Sequence, residues 1–405
     1  MKTIVILGDG MADRPCPELG GKTPLQAARK PYIDRLARTG RCGMLDTIPK
    51  GFAPGSEIAN LAVMGYDVPS VFEGRGSLEA ASMGVAVGDG EMVMRCNLIT
   101  IEEGRIKNHS GGHISTAEAH EQIDFLQKEL GGNGVDFYGG VSYRHLLKIR
   151  GGDKRIICTP PHDVPGALFA DKLVRAAVPE AEETAELINR LILRSQELLA
   201  DHPVNRRRRA AGLDPANSIW PWSPGYRPRM SAMTEKYGIR SGSVISAVDL
   251  IKGIGILAGL RSIDVEGATG LYDTNYEGKA QAAIEALRNE DFVYLHIEAS
   301  DEAGHAGDAE LKTRTIEYLD NRVVRHIVEQ TSGWDEPVTI ALLPDHPTPC
   351  SVRTHTADPV PFIINAPDLT PDKVMTYDEF AAAEGFYGTI PSSRFMDILM
   401  RRDER

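Results

Sequence analysis

The sequence is poor in cysteine and has no long hydrophobic run. Its five cysteines, Cys16, Cys42, Cys96, Cys158 and Cys350, are odd in number and widely scattered, with no Cys-x-x-Cys pair. That excludes a disulfide framework and points to a reducing compartment. No stretch approaches the roughly 20 apolar residues that a membrane span needs. The apolar run before Gly8-Asp9-Gly10 is too short for the core of a secretion signal, so a soluble, cytoplasmic protein is expected. Positive charge is also in deficit: 45 Lys and Arg face 57 Asp and Glu, a formal net charge of -12. Phosphate backbones are held by clustered cations, so nucleic acid is excluded as the main partner. A small anionic substrate stays open, because a bound metal or a local cation cluster overrides the net charge. Internal repeats, low-complexity segments and the Gly-x-x-x-x-Gly-Lys-Ser/Thr phosphate loop are absent as well.

What is present is a chain of 405 residues, 42% hydrophobic and 25% charged, the composition of a globular protein with a real core. Single cores stop growing at roughly 250–300 residues, so two domains, or a core carrying a large insertion, are expected. Short β-branched runs at 3–7, 292–297, 338–343 and 360–364 are the strand candidates. Helical spacing over 276–287 and 308–329 separates several of them. The alternation predicts an α/β fold, a mainly parallel sheet flanked by helices. The middle reads differently, with a hairpin at 92–107, a proline-rich stretch, a helix at 180–201 and the run Trp220-Pro221-Trp222. A core formed by 1–88 and 228–405 is therefore expected, with a smaller α/β domain inserted at 89–227.

Chemistry concentrates at the ends of the predicted strands. Asp9 follows the first strand between two glycines, which let the backbone turn while the carboxylate faces the crevice; a plain turn Asp is the alternative. Asp301 and His305 follow the strand at 292–297, four residues apart, a spacing that places two ligands on one helix face. Asp345 and His346 follow the strand at 338–343, and His355 lies nine residues on. Taken together these oxygen and nitrogen donors suit one or two divalent ions, and the lack of cysteine among them argues against a structural zinc site. Ser56, in Pro54-Gly55-Ser56-Glu57, precedes an apolar helical pattern. It reads either as a helix N-cap or as a nucleophile whose phosphorylated form a helix N-terminus would stabilise.

Gly8-Asp9-Gly10-Met11, Pro54-Gly55-Ser56-Glu57, Asp301-Glu302-Ala303-Gly304-His305, Asp345-His346 and His355-Thr356-Ala357-Asp358-Pro359 resemble, in this order, the 2,3-bisphosphoglycerate-independent phosphoglycerate mutases. The resemblance is to their archaeal-type branch, within the alkaline-phosphatase-like superfamily. Gly74-Arg75-Gly76, Glu235-Lys236-Tyr237 and Asp273-Thr274-Asn275-Tyr276 extend it along nearly the whole chain. It implies an alkaline-phosphatase-like core and two divalent ions, manganese foremost, with magnesium, cobalt or zinc as substitutes, and no 2,3-bisphosphoglycerate. Asp301, His305 and His355 would hold one ion; Asp9, Asp345, His346 and the Ser56 oxygen would hold the other. Ser56 would carry the phosphoryl group as phosphoserine and Lys236 would neutralise a phosphoryl oxygen. The substrate would be a small phosphorylated carboxylic acid.

Within the expected insert, Arg144 and His113 are candidate substrate ligands, joined by Arg227 and Arg229 near the return to the core, because guanidinium groups take carboxylates and phosphates bidentately. The run Arg206-Arg207-Arg208-Arg209 reads mostly as a solvated face. The leading alternative function is a homoserine kinase-like phosphotransferase using the same metal and serine. A metal-dependent phosphatase and a non-catalytic metal-binding protein come after it.

Overall fold

The computed structural model describes residues 2–400. Their strands, in chain order, are β1 (Lys2–Gly8), β2 (Arg41–Asp46), β3 (Glu91–Glu102), β4 (Arg105–Asn108), β5 (Val135–Tyr138), β6 (Arg144–Arg150), β7 (Ile156–Ile157), β8 (Arg175–Ala176), β9 (Ser218–Gly225), β10 (Gly242–Ile245), β11 (Arg261–Ile263), β12 (Phe292–Ile297), β13 (Val338–Leu343), β14 (Val360–Asn365) and β15 (Thr389–Pro391). The chain forms two units, one from residues up to Phe72 and from Arg229 onward, the other from Glu73 to Pro228.

The first unit is built on one sheet in the order β11-β10-β12-β1-β13-β14-β2-β15. Its central strands β10, β12, β1 and β13 are mutually parallel. Every residue of β1 and of β12 is buried, which is why these strands read as continuous apolar runs rather than as alternating ones. β14, expected as a further parallel strand, instead runs antiparallel to both β13 and β2. Helices cover the sheet, and Ile4, Ile6, Leu295, Ile340, Leu342 and Ile363 pack into one core with the helix Tyr276–Asn289.

The single helix expected over 308–329 is interrupted. It runs as α-helix over Ala309–Tyr318, widens to a π-helical segment over Leu319–Val324, and resumes over Arg325–Thr331. The wide segment carries Asp320, whose carboxylate accepts from Tyr32 N at 2.9 Å and Ile33 N at 2.7 Å, satisfying the open N–H groups of the helix Pro31–Thr39.

The second unit holds a five-stranded sheet in which β4, β3, β6 and β5 lie in order and β9 also pairs β3. Every pairing in it is antiparallel, so the smaller inserted domain combines helices with a separate antiparallel sheet. It begins at Glu73, sooner than residue 89, because the helix Arg75–Ser82 belongs to it: Ala80 packs with Val93 and Leu146, and Arg75 N donates to Ser223 Oγ. Among the described residues no helix is long and apolar enough to cross a membrane.

Candidate metal centre and active site

β12, β1 and β13 are neighbours in the sheet, so the residues that follow their carboxyl ends converge on one crevice. Asp9 leaves β1, and its N–H bonds the Ile297 carbonyl at the end of β12 at 2.9 Å. Asp301 and His305 lie one turn apart on the helix Ala299–Ala306, and Asp345 and His346 come directly after β13. Gly10 stands at φ +60°, and a Cβ there would fall 2.6 Å from both Asp301 Oδ1 and Thr348 Oγ1. Only glycine gives the bend and the close approach together.

Ligand atoms of Asp9, Asp345 and His346 lie within 4.8 Å of one another, and so do those of Asp301, His346 and His355. His305 extends the second group, with Nε2 3.2 Å from Asp301 Oδ2 and 3.0 Å from His355 Nε2. His346 is common to both groups. Its Nε2 is 3.7 Å from Asp9 Oδ1, 3.5 Å from Asp345 Oδ2 and 3.1 Å from Ser56 Oγ. Thus the crevice brings together Asp9, Ser56, Asp301, His305, Asp345, His346 and His355.

Ser56 is the first residue of the helix Ser56–Val63 and Gly55 is its N-cap, with no capping bond from a side chain. The hydroxyl is therefore not spent on the helix end and points at His346 instead. Four residues on, Asn60 donates to the Ser56 carbonyl at 2.8 Å and to Asp345 Oδ2 at 2.9 Å, and accepts from the Tyr294 hydroxyl at 2.6 Å. Asp345 Oδ1 accepts from Gly10 N at 3.2 Å and His346 N at 2.9 Å. Thr348 Oγ1 donates to Asp301 Oδ1.

The electrostatics fit a cation site. Burial, reinforced by the charges of Asp345 and Asp301, pushes the Asp9 carboxyl well above its usual range. Asp301 is held well below that range: burial opposes this, but hydrogen bonds from His305 and His355 outweigh it. The bond to Asp301 in turn raises His305 to about 9 against its own burial. His346 is lowered by burial, which leaves a neutral, ligating imidazole. Asp9 Oδ1 is buried with no hydrogen-bond partner among the described residues, an acceptor that suits a divalent ion. Carboxylates and imidazoles without thiolates suit Mn²⁺, Zn²⁺ or Co²⁺, so the donor set fits the ions that the motifs imply.

Lys236 lies elsewhere. Its ammonium donates to the Gly65 carbonyl and sits 4.9 Å from the centre of the Tyr66 ring, beyond the C-terminal end of the helix that begins at Ser56. Eight residues make about 12 Å of helix, so Lys236 is set apart from the cluster in this conformation. With Arg229 it lines a cavity of about 380 Å³ that Tyr66, Asp67, Ser70 and Glu235 also face. In the second unit Arg144 is exposed beside Tyr143, 5.6 Å from the ring centre; His113 is exposed at φ +55° and Arg227 is exposed. Arg208, in contrast, is buried and bonds Glu118 and the carbonyls of Gly111, Gly112 and Asp214, a structural role inside the four-arginine run.

Residue-by-residue reading of the sequence passed over Asn60, Thr348 and His296 in the first unit. Asn60 had a signal, since its four-residue spacing from Ser56 puts both on one helix face. In the second unit it passed over Arg95, which is buried, 3.2 Å from Glu79 and stacked 4.6 Å from the centre of Trp222. His162 packs its ring between Trp222 and His109, at 5.3 and 6.2 Å.

A sequence model of the 2,3-bisphosphoglycerate-independent phosphoglycerate mutase family matches residues 37–205. The enzyme of that name from Methanosarcina acetivorans is 50% identical over 404 residues, 99% of this chain and all of its own. A probable one from Geobacter sulfurreducens is 47% identical over 407 residues, 99% of this chain and all of its own. Among solved structures, a Pyrococcus horikoshii protein superposes with a TM-score of 0.83 at 32% identity, covering 100% of this chain and 98% of its own. The cofactor-independent phosphoglycerate mutase from Thermoplasma acidophilum has a TM-score of 0.68 at 27% identity and 99% coverage of both.

Proposed function

Because the chain belongs to the 2,3-bisphosphoglycerate-independent phosphoglycerate mutases, we propose that it interconverts 3-phosphoglycerate and 2-phosphoglycerate by lending the phosphoryl group to Ser56. The observation that carries this reading is the place of the Ser56 hydroxyl: at the start of a helix, uncommitted to capping, and 3.1 Å from His346, the residue common to both ligand groups.

Two divalent cations, manganese foremost, would be held by Asp301, His305 and His355, and by Asp9, Asp345, His346 and the Ser56 oxygen. When bound they supply Lewis acidity, which draws charge from the phosphoryl oxygens and lowers the pKa of the serine hydroxyl. The Ser56 hydroxyl then gives up its proton as Oγ attacks phosphorus; the bond from phosphorus to the 3-oxygen breaks, and that oxygen takes up a proton in exchange. The first-turn N–H groups of the helix Ser56–Val63 face the phosphoryl group now on Oγ, and the helix dipole favours its negative charge. The glycerate stays in the site and turns. Its 2-hydroxyl gives up a proton and attacks phosphorus, the bond to Ser56 Oγ breaks, Oγ takes up a proton, and the enzyme is restored without 2,3-bisphosphoglycerate. Asn60 holds Ser56 and Asp345 in register throughout through its paired bonds. Arg144, Arg227, Arg229 and His113 are the side chains proposed to take the substrate's carboxylate. For Lys236 to neutralise a phosphoryl oxygen, its ammonium must exchange the Gly65 carbonyl for the substrate.

The test is turnover by the manganese-loaded protein given 3-phosphoglycerate with no added 2,3-bisphosphoglycerate. Formation of 2-phosphoglycerate is expected, and Ser56→Ala abolishes it while metal content stays at the wild-type level. Release of free phosphate in place of the isomer, or full turnover by Ser56→Ala, would overturn the reading.

A further inference from the structure

Between the metal-ligand cluster and the body of the first unit runs a line of four buried ionisable side chains. Lys279, Glu298, His296 and Asp9 have side chains 0%, 4%, 0% and 7% exposed. His296 Nε2 is 3.3 Å from Asp9 Oδ2, and on the other side of the ring Nδ1 is 3.3 Å from Glu298 Oε1. Glu298 is itself fixed: Oε1 accepts from Ser246 Oγ at 2.9 Å and Ala247 N at 2.8 Å, and Oε2 accepts from Lys279 Nζ. Lys279 also donates to the His296 carbonyl at 3.3 Å.

We propose that His296 is a positioning residue for Asp9: it occupies Oδ2 and so leaves Oδ1 as the one oxygen offered to a divalent cation. The proposal rests on the reading of Asp9 as a metal ligand. Three observations support it. The two oxygens of Asp9 are in different surroundings: Oδ2 faces the His296 imidazole across 3.3 Å, an ion-pair approach in which Nε2 makes no directed hydrogen bond, whereas Oδ1 lies 3.7 Å from His346 Nε2, on the side of the cluster. His296 is held on that side: strand alternation sends Val293, Leu295 and Ile297 to the core face and His296 with Tyr294 to the opposite one, where Nδ1 lies 3.3 Å from both Ser246 Oγ and Glu298 Oε1 and Nε2 faces Asp9. Finally, a buried line of ionisable groups is a poor device for stability. The desolvation of such groups roughly cancels their attraction, and apolar side chains of like volume would hold the fold as well. What the line does achieve is a fixed orientation at its free end, as groups behind metal ligands do.

The probe is Mn²⁺, titrated calorimetrically into the metal-free full-length protein and its variants well below their unfolding temperatures. His296→Phe keeps the ring volume and removes both nitrogens; it is expected to weaken one of the two Mn²⁺ sites about 10–100-fold and spare the other. His296→Gln keeps a donor toward Asp9 and is expected to restore most of the lost affinity. A merely structural His296 would lower the melting temperature of the metal-free protein without changing either affinity, and that result overturns the proposal. If His296→Phe does not fold, Glu298→Gln, which loosens the imidazole from behind, must weaken the same site; unchanged affinity in that folded variant also overturns it. Asp9→Asn separates the two readings. If it weakens a site and His296→Phe does not, the positioning role alone fails; if it weakens neither, the metal-ligand reading of Asp9 fails with it.

Discussion

The two halves of the ligand cluster are built on opposite plans. Asp9, Asp345 and His346 are buried, and Asp345 is pinned by Gly10 N, His346 N and Asn60 Nδ2. Asp301 and His355 are more open, and His305 is more than a third exposed, its Nδ1 3.1 Å from the Arg353 carbonyl at the edge of a loop. The deep half spends backbone bonds and buried charge to fix its oxygens. The outer half leaves its imidazoles nearer to solvent. Ser56 meets His346, the residue the halves share, so its hydroxyl sits at their junction.

The sharpest break in this comparison comes from deleting one ligand in each half. Asp345→Ala and His355→Ala are both expected to lower turnover by about 10³-fold or more, as losses within a cooperating catalytic set do. Their metal-free forms should differ. Asp345→Ala orphans three buried donors and costs about 1–3 kcal/mol in chemical denaturation, whereas His355→Ala stays within about 0.5 kcal/mol of wild type. Equal losses would erase the distinction between a pinned and an open half.

Gly10→Ala strains the deep turn, where φ is +60° and a Cβ would press on Asp301 and Thr348. A destabilisation of about 1–3 kcal/mol is expected by the same measurement, with metal affinity reduced as well. A neutral Gly10→Ala would show that the turn can relax.

The smallest effect is the one with pH. In the metal-free protein His305 is raised from 6.5 to about 9 by its bond to Asp301, and that proton must leave before the ring nitrogen can bind a cation. Mn²⁺ affinity of the outer half should therefore rise with pH up to about 9 and then level. Metal-free stability runs the other way: because the folded-state pKa is raised, the contribution of His305 is complete below about 6.5 and is lost as pH rises through about 9. Calorimetry in buffers of different ionisation enthalpy counts the released protons. A pH-independent affinity would contradict the coupling of His305 to Asp301.

Both plans were unequally legible in the sequence. The residues of the cluster could be picked out because most of them follow a strand in a short polar motif, and strand ends need no knowledge of packing. What holds them could not. His296 stands alone in an apolar strand, where a lone histidine signals nothing about its partners, and Lys279 comes from a helix 17 residues upstream. The reversal of β14 was hidden because a buried strand reads alike in either direction. The start of the second unit at Glu73 was missed because the helix Arg75–Ser82 is amphipathic wherever it packs. Lys236 had a clear motif, but a motif does not give the bond its ammonium makes to the Gly65 carbonyl.

The most direct measurement is mass spectrometry of the manganese-loaded protein quenched during turnover of 3-phosphoglycerate. The account predicts a phosphoryl adduct on the peptide carrying Ser56, gained in the pre-steady state, lost when substrate is exhausted, and absent from Ser56→Ala. Full isomerase turnover with no adduct on Ser56 at any quench time would contradict it.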